Sequence, residues 1–308
     1  MSTETPTRHV VHRAADARFV VPDLFAERSS GFTRWSAVDH ETPGAVHTGF
    51  GVVVLEPGGS VDTHLHSFEE SVHMLEGEVV CHTAEGSVLL RPGDYGVLPV
   101  AAPHAWQNAG DSPARWAVMT APQPQPAFAG DTFFVDPLPA AVPQAVDPRD
   151  PRWRSFGHVA PENMDPEMQS QEMLAVSASM RTALLVYSGI TVKMMVDTDL
   201  GAQLQTMFMV QYEERGVAGA HDHPLEETYM ILEGRTDAKF DGVPYRLEVG
   251  DIAFAGVGCV HEFSNPGPGI VRWLETQAPQ PPARYSYRFA RDWAYLRDAL
   301  DGTGHIPK

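Results

Sequence analysis

Residues 63–77 read THLHSFEESVHMLEG and residues 220–234 read AHDHPLEETYMILEG, and the two stretches align without a gap. His64 pairs with His221, His66 with His223, Glu70 with Glu227 and Gly77 with Gly234, each at an offset of 157 (221 minus 64, 234 minus 77). The same offset carries Gly93-Asp94 onto Gly250-Asp251, His104 onto His261, Asn108 onto Asn265 and Arg115-Trp116 onto Arg272-Trp273. One register held over about fifty residues marks a tandem duplication, in which each copy is a structural unit.

In an extended strand, side chains at i, i+2 and i+4 share a face. His64 and His66 therefore point together, and Glu70 rejoins them if the chain stays near-extended. His104, 38 residues after His66, can arrive on a later strand of the same unit. The second copy offers His221, His223, Glu227 and His261 in the same way. Three imidazoles and a carboxylate form a borderline-hard N/O set that suits Fe(II), Mn(II), Ni(II), Cu(II), Co(II) or Zn(II). On an octahedral ion they leave positions for substrate, water or dioxygen. An isolated His-x-His is most often a pair of surface or hydrogen-bonded histidines. The spacing H-x-H-x3-E-x33-H, present twice with matching flanks, favours metal, with up to two ions per chain. His73 is out of phase with Glu70 and should face away from the site. Glu69 and Glu226 should point to the opposite face, as barrel-exterior or supporting groups.

Around these motifs, FGVVVLEPGG, ESVHMLEGEVV and TMFMVQYEE are rich in β-branched, aromatic and other apolar residues and are stopped by glycine or proline. AKFDGVPYRL carries a central Asp-Gly, a two-residue hairpin signal. Many short strands at close spacing, with turns between, predict an all-β protein in which each copy is an antiparallel barrel or a jelly roll. Residues 121–153 are crowded with proline, which excludes regular helix and central strands. Phe133, Phe134, Trp153 and Phe156 punctuate the segment and predict that it lies against the barrels. A short helix is predicted within PENMDPEMQSQEM. The expected division is an N-terminal barrel with its arm over 1–125, a Pro-rich linker over 126–180 and a C-terminal barrel over 181–308. A closing helix is predicted over 288–302, where Phe289, Trp293, Leu296 and Leu300 recur at helical spacing before Gly302.

Composition narrows the partners. Lys+Arg 22 against Asp+Glu 40 gives a formal net charge of -18, which disfavours nucleic acid and anionic membranes. No apolar run approaches the roughly 20 residues of a membrane helix. The start MSTETPTRHVVHR has no basic region followed by an apolar one. Cys81 and Cys259 fall in different copies and cannot form a disulfide scaffold, so a reducing cytoplasm is the expected compartment.

Both copies resemble cupins, and the whole resembles a bicupin. The first cupin motif, G-x5-H-x-H-x3-E-x6-G, is met by Gly58, His64, His66, Glu70 and Gly77. The second, G-x5-P-x-G-x2-H-x3-N, is met by Gly93, Pro99, His104 and Asn108, with Ala101 where glycine is usual. In the second copy Arg215 takes the opening glycine position and Gly256 replaces proline, and every metal ligand is intact. The linker and the run GITVKMMVDTDLGAQLQTMFMVQYEERG are loosely similar to those of ureidoglycine aminohydrolases. The resemblance implies a jelly-roll barrel with one metal per barrel. The fold it implies hosts dioxygenases, decarboxylases, isomerases, hydrolases and metal-free storage proteins, so it does not choose the reaction.

Strand alternation places Val72 and Met74 with Glu70, Trp106 with His104, Tyr229 and Ile231 with Glu227, and Phe263 with His261. Tyr229 is the candidate catalytic residue, a phenol able to donate to a metal-bound substrate oxygen or an oxyanion, and it inclines the reading toward the second barrel. The alternative is a barrel filler. Arg115 and Arg272 would hold a substrate carboxylate if they faced inward; exterior positions are the alternative. The first functional reading is an Fe(II) oxygenase that cleaves a small organic substrate with dioxygen. The others are a non-oxidative Mn(II) or Zn(II) hydrolase, isomerase or decarboxylase, and a binding bicupin without turnover. Further copies of the chain, as a homo-oligomer, complete the expected partners.

Overall fold

The computed structural model describes residues 7–139, 141–147, 150, 152, 154–165, 182–185, 189–280 and 288–289. An arm strand, β1 (His9–His12), precedes the first copy. That copy holds β2 (Ser29–Val38), β3 (Gly49–His66), β4 (Glu69–Glu76), β5 (Val79–Thr83), β6 (Gly86–Leu90), β7 (Asp94–Leu98), β8 (His104–Gln107) and β9 (Ala114–Ala121). The connecting segment adds β10 (Thr132–Phe134), β11 (Gln144–Ala145) and β12 (Phe156–His158). The second copy runs through β13 (Thr182–Leu185), β14 (Ile190–Val196), β15 (Thr206–Tyr212), β16 (Val217–Asp222) and β17 (Glu226–Glu233). It continues with β18 (Arg235–Phe240), β19 (Val243–Glu248), β20 (Ile252–Ala255), β21 (His261–Ser264) and β22 (Val271–Ala278), and β23 (Arg288–Phe289) follows. No helix among the described residues is long and apolar enough to cross a membrane.

Strand β3 builds the first barrel by belonging to both of its walls. Its first half pairs with β9 and its second half with β8 and β10, while β2 runs beside both. Gly58 lies between the halves at φ +73°. In the second copy the same path is broken into β15 and β16, and Arg215, the counterpart of Gly58 (215 minus 58 is 157), holds φ +67°. The Asp241-Gly242 pair forms the expected two-residue hairpin turn, with Phe240 opposite Val243 and φ of +47° and +85° in the turn.

Each copy is completed by a strand from the segment that precedes the other. The arm strand β1, grouped by sequence with the first barrel, pairs instead with β20 of the second. Reciprocally β12, which precedes the second copy, pairs with β7 of the first. The repeated aspartates anchor both exchanges: Asp94 accepts from His158 Nδ1 at 2.8 Å, and Asp251 from Arg13 Nη1 at 2.7 Å and the Ala14 amide at 2.9 Å. The linker lies against the first barrel through β10 on β3, β11 on β6 and β12 on β7. A 3-10 turn, Pro161–Met164, opens the stretch where a short helix is expected, and residues 166–173 of that stretch lie outside the described residues. The closing helix does not begin at 288, because Arg288 and Phe289 are drawn into strand pairing with β16. The remainder of that expectation lies outside the described residues.

Strands β4, β9, β17 and β22 are buried on both faces, as sheets packed on two sides must be. One face of β4 and β9, with Val72, Met74, Trp116 and Val118, fills the first barrel. Tyr229, Ile231 and Trp273 do the same in the second. The opposite faces meet in a shared core between the barrels that includes Phe50, Met119, Met209, Met230 and Leu274. His73 is on that side, buried, and held down to about 4 by burial and the nearby His158 charge. Glu69 and Glu226 also face away from the histidines, yet neither is exposed. Glu226 accepts from the Val46, His47 and Thr48 amides at 2.7, 2.9 and 2.9 Å. Glu69 accepts from the Gln203 and Leu204 amides at 2.6 and 2.9 Å, again at the 157 offset (203 minus 46). The two carboxylates thus clamp the barrels to each other.

Candidate metal centres

In the first barrel β3 supplies His64 and His66, and β8, its neighbour, supplies His104 directly opposite His64. Ligand-type nitrogens of the three lie within 4.8 Å of one another. Each ring is oriented by a bond at Nδ1: His64 to the Asp62 carbonyl at 2.7 Å, His104 to the Ala102 carbonyl at 3.0 Å, and His66 to Thr132 Oγ1 at 2.9 Å. A carbonyl acceptor requires Nδ1–H, which leaves Nε2 as a bare lone pair, the usual second-sphere arrangement of a metal-ligating histidine. Nε2 of His66 and of His104 is buried and without a partner. Burial lowers His64 to about 4 and His104 to about 3 and holds His66 well below its ordinary value, so the rings are neutral donors at pH 7. Glu70 Oε2 stands 3.7 Å from His66 Nε2. Burial raises its carboxyl to about 7, opposed by the Arg34 charge. Orphaned, converging imidazole nitrogens beside a carboxylate fit a divalent transition metal.

The second barrel repeats the triad, with His221, His223 and His261 nitrogens within 4.8 Å. His221 and His261 are oriented by the Gly219 and Cys259 carbonyls at 2.7 and 2.9 Å. Its carboxylate is placed differently. Glu227 lies on the histidines, 2.9 Å from His223 Nε2 and 3.3 Å from His261 Nε2, and also accepts from Tyr229 Oη and Gln277 Nε2. Burial opposes its ionisation, but the His223 and His261 interactions outweigh it and hold Glu227 well below the carboxylate range. Glu275, beside it, is driven well above that range by burial and by the Glu227 charge. Tyr229 is 1% exposed and packs against Phe240 and Phe263, so its hydroxyl serves Glu227 within a filled interior.

An open cavity lies in the first barrel. A cavity of about 770 Å³ reaches His64, His66 and Glu70 and is walled by Phe25, Phe32 and Trp106. Arg34, on β2, reaches into it across Gly51, and its Nε is buried without a hydrogen-bond partner. The charges of Glu70 and Asp39 oppose the cost of burying that guanidinium. Two cross-strand pairs explain the difference between the barrels. Glu70 faces Thr120 and Val72 faces Val118, whereas Glu227 faces the longer Gln277, and Tyr229 and Glu275 put larger, polar side chains in place of the two valines. Val192, paired with Val210 as Arg34 is with Val53, replaces the arginine in the second copy (210 minus 53 is 157).

Each sequence-predicted histidine is therefore brought to a centre, and both carboxylates adjoin one. Arg115 and Arg272 stay outside, paired with Glu76 at 3.5 Å and Glu233 at 2.9 Å. Sequence reasoning missed Arg34. Its signal was the alternation in FTRWSAV, where Phe32, Arg34, Ser36 and Val38 all line the cavity. A cupin-domain model matches residues 51–120 and again residues 208–276. The chain is a bicupin. Solved structures similar to this bicupin include salicylate 1,2-dioxygenase from Pseudaminobacter salicylatoxidans, at 15% identity and TM-score 0.60 over 76% of this chain and 71% of that one. Another is oxalate decarboxylase from Lactobacillus farciminis, at 15% identity and TM-score 0.64 over 97% of this chain and 96% of that one. No curated protein matches the bicupin by sequence. At these identities the likeness carries the fold and leaves the reaction open.

Proposed function

We propose that this bicupin is a metal-dependent enzyme whose working site is the first barrel, and that it cleaves a small carboxylate-bearing substrate with dioxygen. The observation that carries this reading is Arg34, a cation with a buried, unpartnered Nε, in the same apolar-walled cavity as His64 and His66, two members of the first histidine cluster. A planar guanidinium is suited to bidentate capture of a carboxylate, and a cavity of about 770 Å³ suits a small organic acid. His64, His66, His104 and Glu70 would hold the metal, Fe(II) in this reading, which supplies activation of substrate and dioxygen. Arg34 fixes the carboxylate, while Phe25, Phe32 and Trp106 exclude water from the reacting groups. The second barrel, with Glu227 held by Tyr229 and Gln277, serves as a supporting centre.

The test is oxygen uptake by the Fe(II)-loaded protein across a panel of phenolic and enolisable carboxylic acids and their decarboxylated analogues. Uptake is expected with the acids alone and is expected to weaken sharply in Arg34→Met. Product formed without oxygen consumption would overturn the oxidative step in favour of hydrolysis, isomerisation or decarboxylation. No turnover with any acid would leave a binding protein.

A further inference from the structure

Among the described residues, another cluster of ligand-type side chains lies where the arm strand β1 meets the second barrel. A ring nitrogen of His9, a carboxylate oxygen of Asp241 and Sγ of Cys259 lie within 4.8 Å of one another. They come from three separate places: β1, the turn between β18 and β19, and the loop before β21. His9 is 8% exposed and Cys259 1%. His9 Nε2 is 3.0 Å from the Tyr245 hydroxyl, and Nδ1 is buried with no partner. With Tyr245 accepting from Nε2–H, Nδ1 is left as a bare lone pair in a place water does not reach. The Cys259 thiol faces Asp241 and makes a long, 3.9 Å contact with the Val260 carbonyl.

Asp241 is fixed at the edge of the cluster. Its Oδ1 accepts from Arg8 Nη2 at 2.9 Å and the Val260 amide at 3.0 Å, and its Oδ2 accepts from Arg8 Nε at 3.1 Å. Oδ2 therefore keeps a further lone pair, open to the Cys259 thiol proton or to a cation that displaces it. A buried nitrogen with nothing to bond is costly, and a metal ion among the three donors would satisfy it.

We propose that His9, Asp241 and Cys259 bind a divalent metal of a different class from that of the histidine centres: a thiophilic ion, Zn(II) by its N/O/S donor set. As the sulfur–metal bond forms, the thiol proton passes to solvent and no redox change occurs. The ion staples β1 to the barrel it completes. Because β1 belongs to the segment before the first copy, the staple joins the two halves of the molecule outside the shared core.

The histidine centres contain no sulfur, so cobalt distinguishes the sites. Chelator-treated, full-length protein titrated with Co(II) is expected to develop a near-ultraviolet thiolate-to-cobalt charge-transfer band that Zn(II) removes. The band should vanish in Cys259→Ser, which keeps Cys81 and the carbonyl that orients His261, and weaken in His9→Gln. It should persist in His64→Ala and His221→Ala. Zn(II) should also slow amide exchange at residues 9–12 in the parent and leave it unchanged in Cys259→Ser. Absence of the band, its survival in Cys259→Ser, or arm exchange indifferent to Zn(II) in the parent would each overturn the proposal.

Discussion

At the scale of single residues, two departures from the cupin pattern occupy left-handed backbone. Ala101 holds φ +62° where its counterpart Gly258 holds +72°, and Arg215 holds +67° where Gly58 holds +73°. A Cβ in that region is strained by about 1–2 kcal/mol, partly offset by the greater unfolded-state freedom of glycine. Ala101→Gly and Arg215→Gly are each expected to stabilise the protein by roughly 0.5–1 kcal/mol, read as a higher urea midpoint with unchanged slope. Arg34 gives a sharper functional expectation. Losing a charge-assisted carboxylate bond of about 1.5–3 kcal/mol should raise KM for a carboxylate substrate on the order of 10- to 100-fold in Arg34→Met. Decarboxylated analogues should not distinguish the two proteins.

Among the elements, the exchanged strand β12 depends on pH through His158. The hydrogen bond to Asp94 raises the His158 pKa above its ordinary value, outweighing the effect of burial. A group whose folded pKa is raised contributes stability below its unfolded value, near 6.5, and loses it as pH rises through the folded value. His158→Ala should therefore lower the urea midpoint more at pH 6 than at pH 9. Such strand exchange was not legible in the sequence, because HVVH and FGH carry no local sign of which barrel they will join. The ligand strands were legible, because a two-residue period on β3 and one offset of 157 repeat the same chemistry twice. The cavity was not. It arises from volume differences at Val72, Val118 and Thr120 against Tyr229, Glu275 and Gln277, which matter only once the cross-strand register is known. Arg34 stayed hidden for a related reason, since a polar residue on alternating β2 reads equally well as the solvent face.

For the whole molecule, the barrels act as one unit through the shared core and the reciprocal clamps of Glu69 and Glu226. Glu226→Ala leaves the Thr48 amide unpaired in a buried place and the Val46 and His47 amides unpaired in part-buried ones, and should cost about 3 kcal/mol, measured by urea unfolding. The buried histidines set a collective pH limit. His64, His73 and His221 are held at about 4 and His104 at about 3, so the unfolded chain binds protons first as pH falls below 6.5. Stability of the chelated protein should therefore fall from pH 6.5 toward pH 4. Glu70, raised to about 7, acts in the opposite sense between its unfolded value and 7, as do the raised carboxyls of Glu69 and Glu275, against the four histidines and His66. The proposed assignment of the chemistry to the first barrel is tested most directly by comparing kcat of His104→Ala and His261→Ala, with an acid that the parent protein turns over. Loss of turnover on the order of 100-fold or more in His104→Ala, with a far smaller loss in His261→Ala, is the predicted result; turnover abolished in His261→Ala and retained in His104→Ala would contradict it.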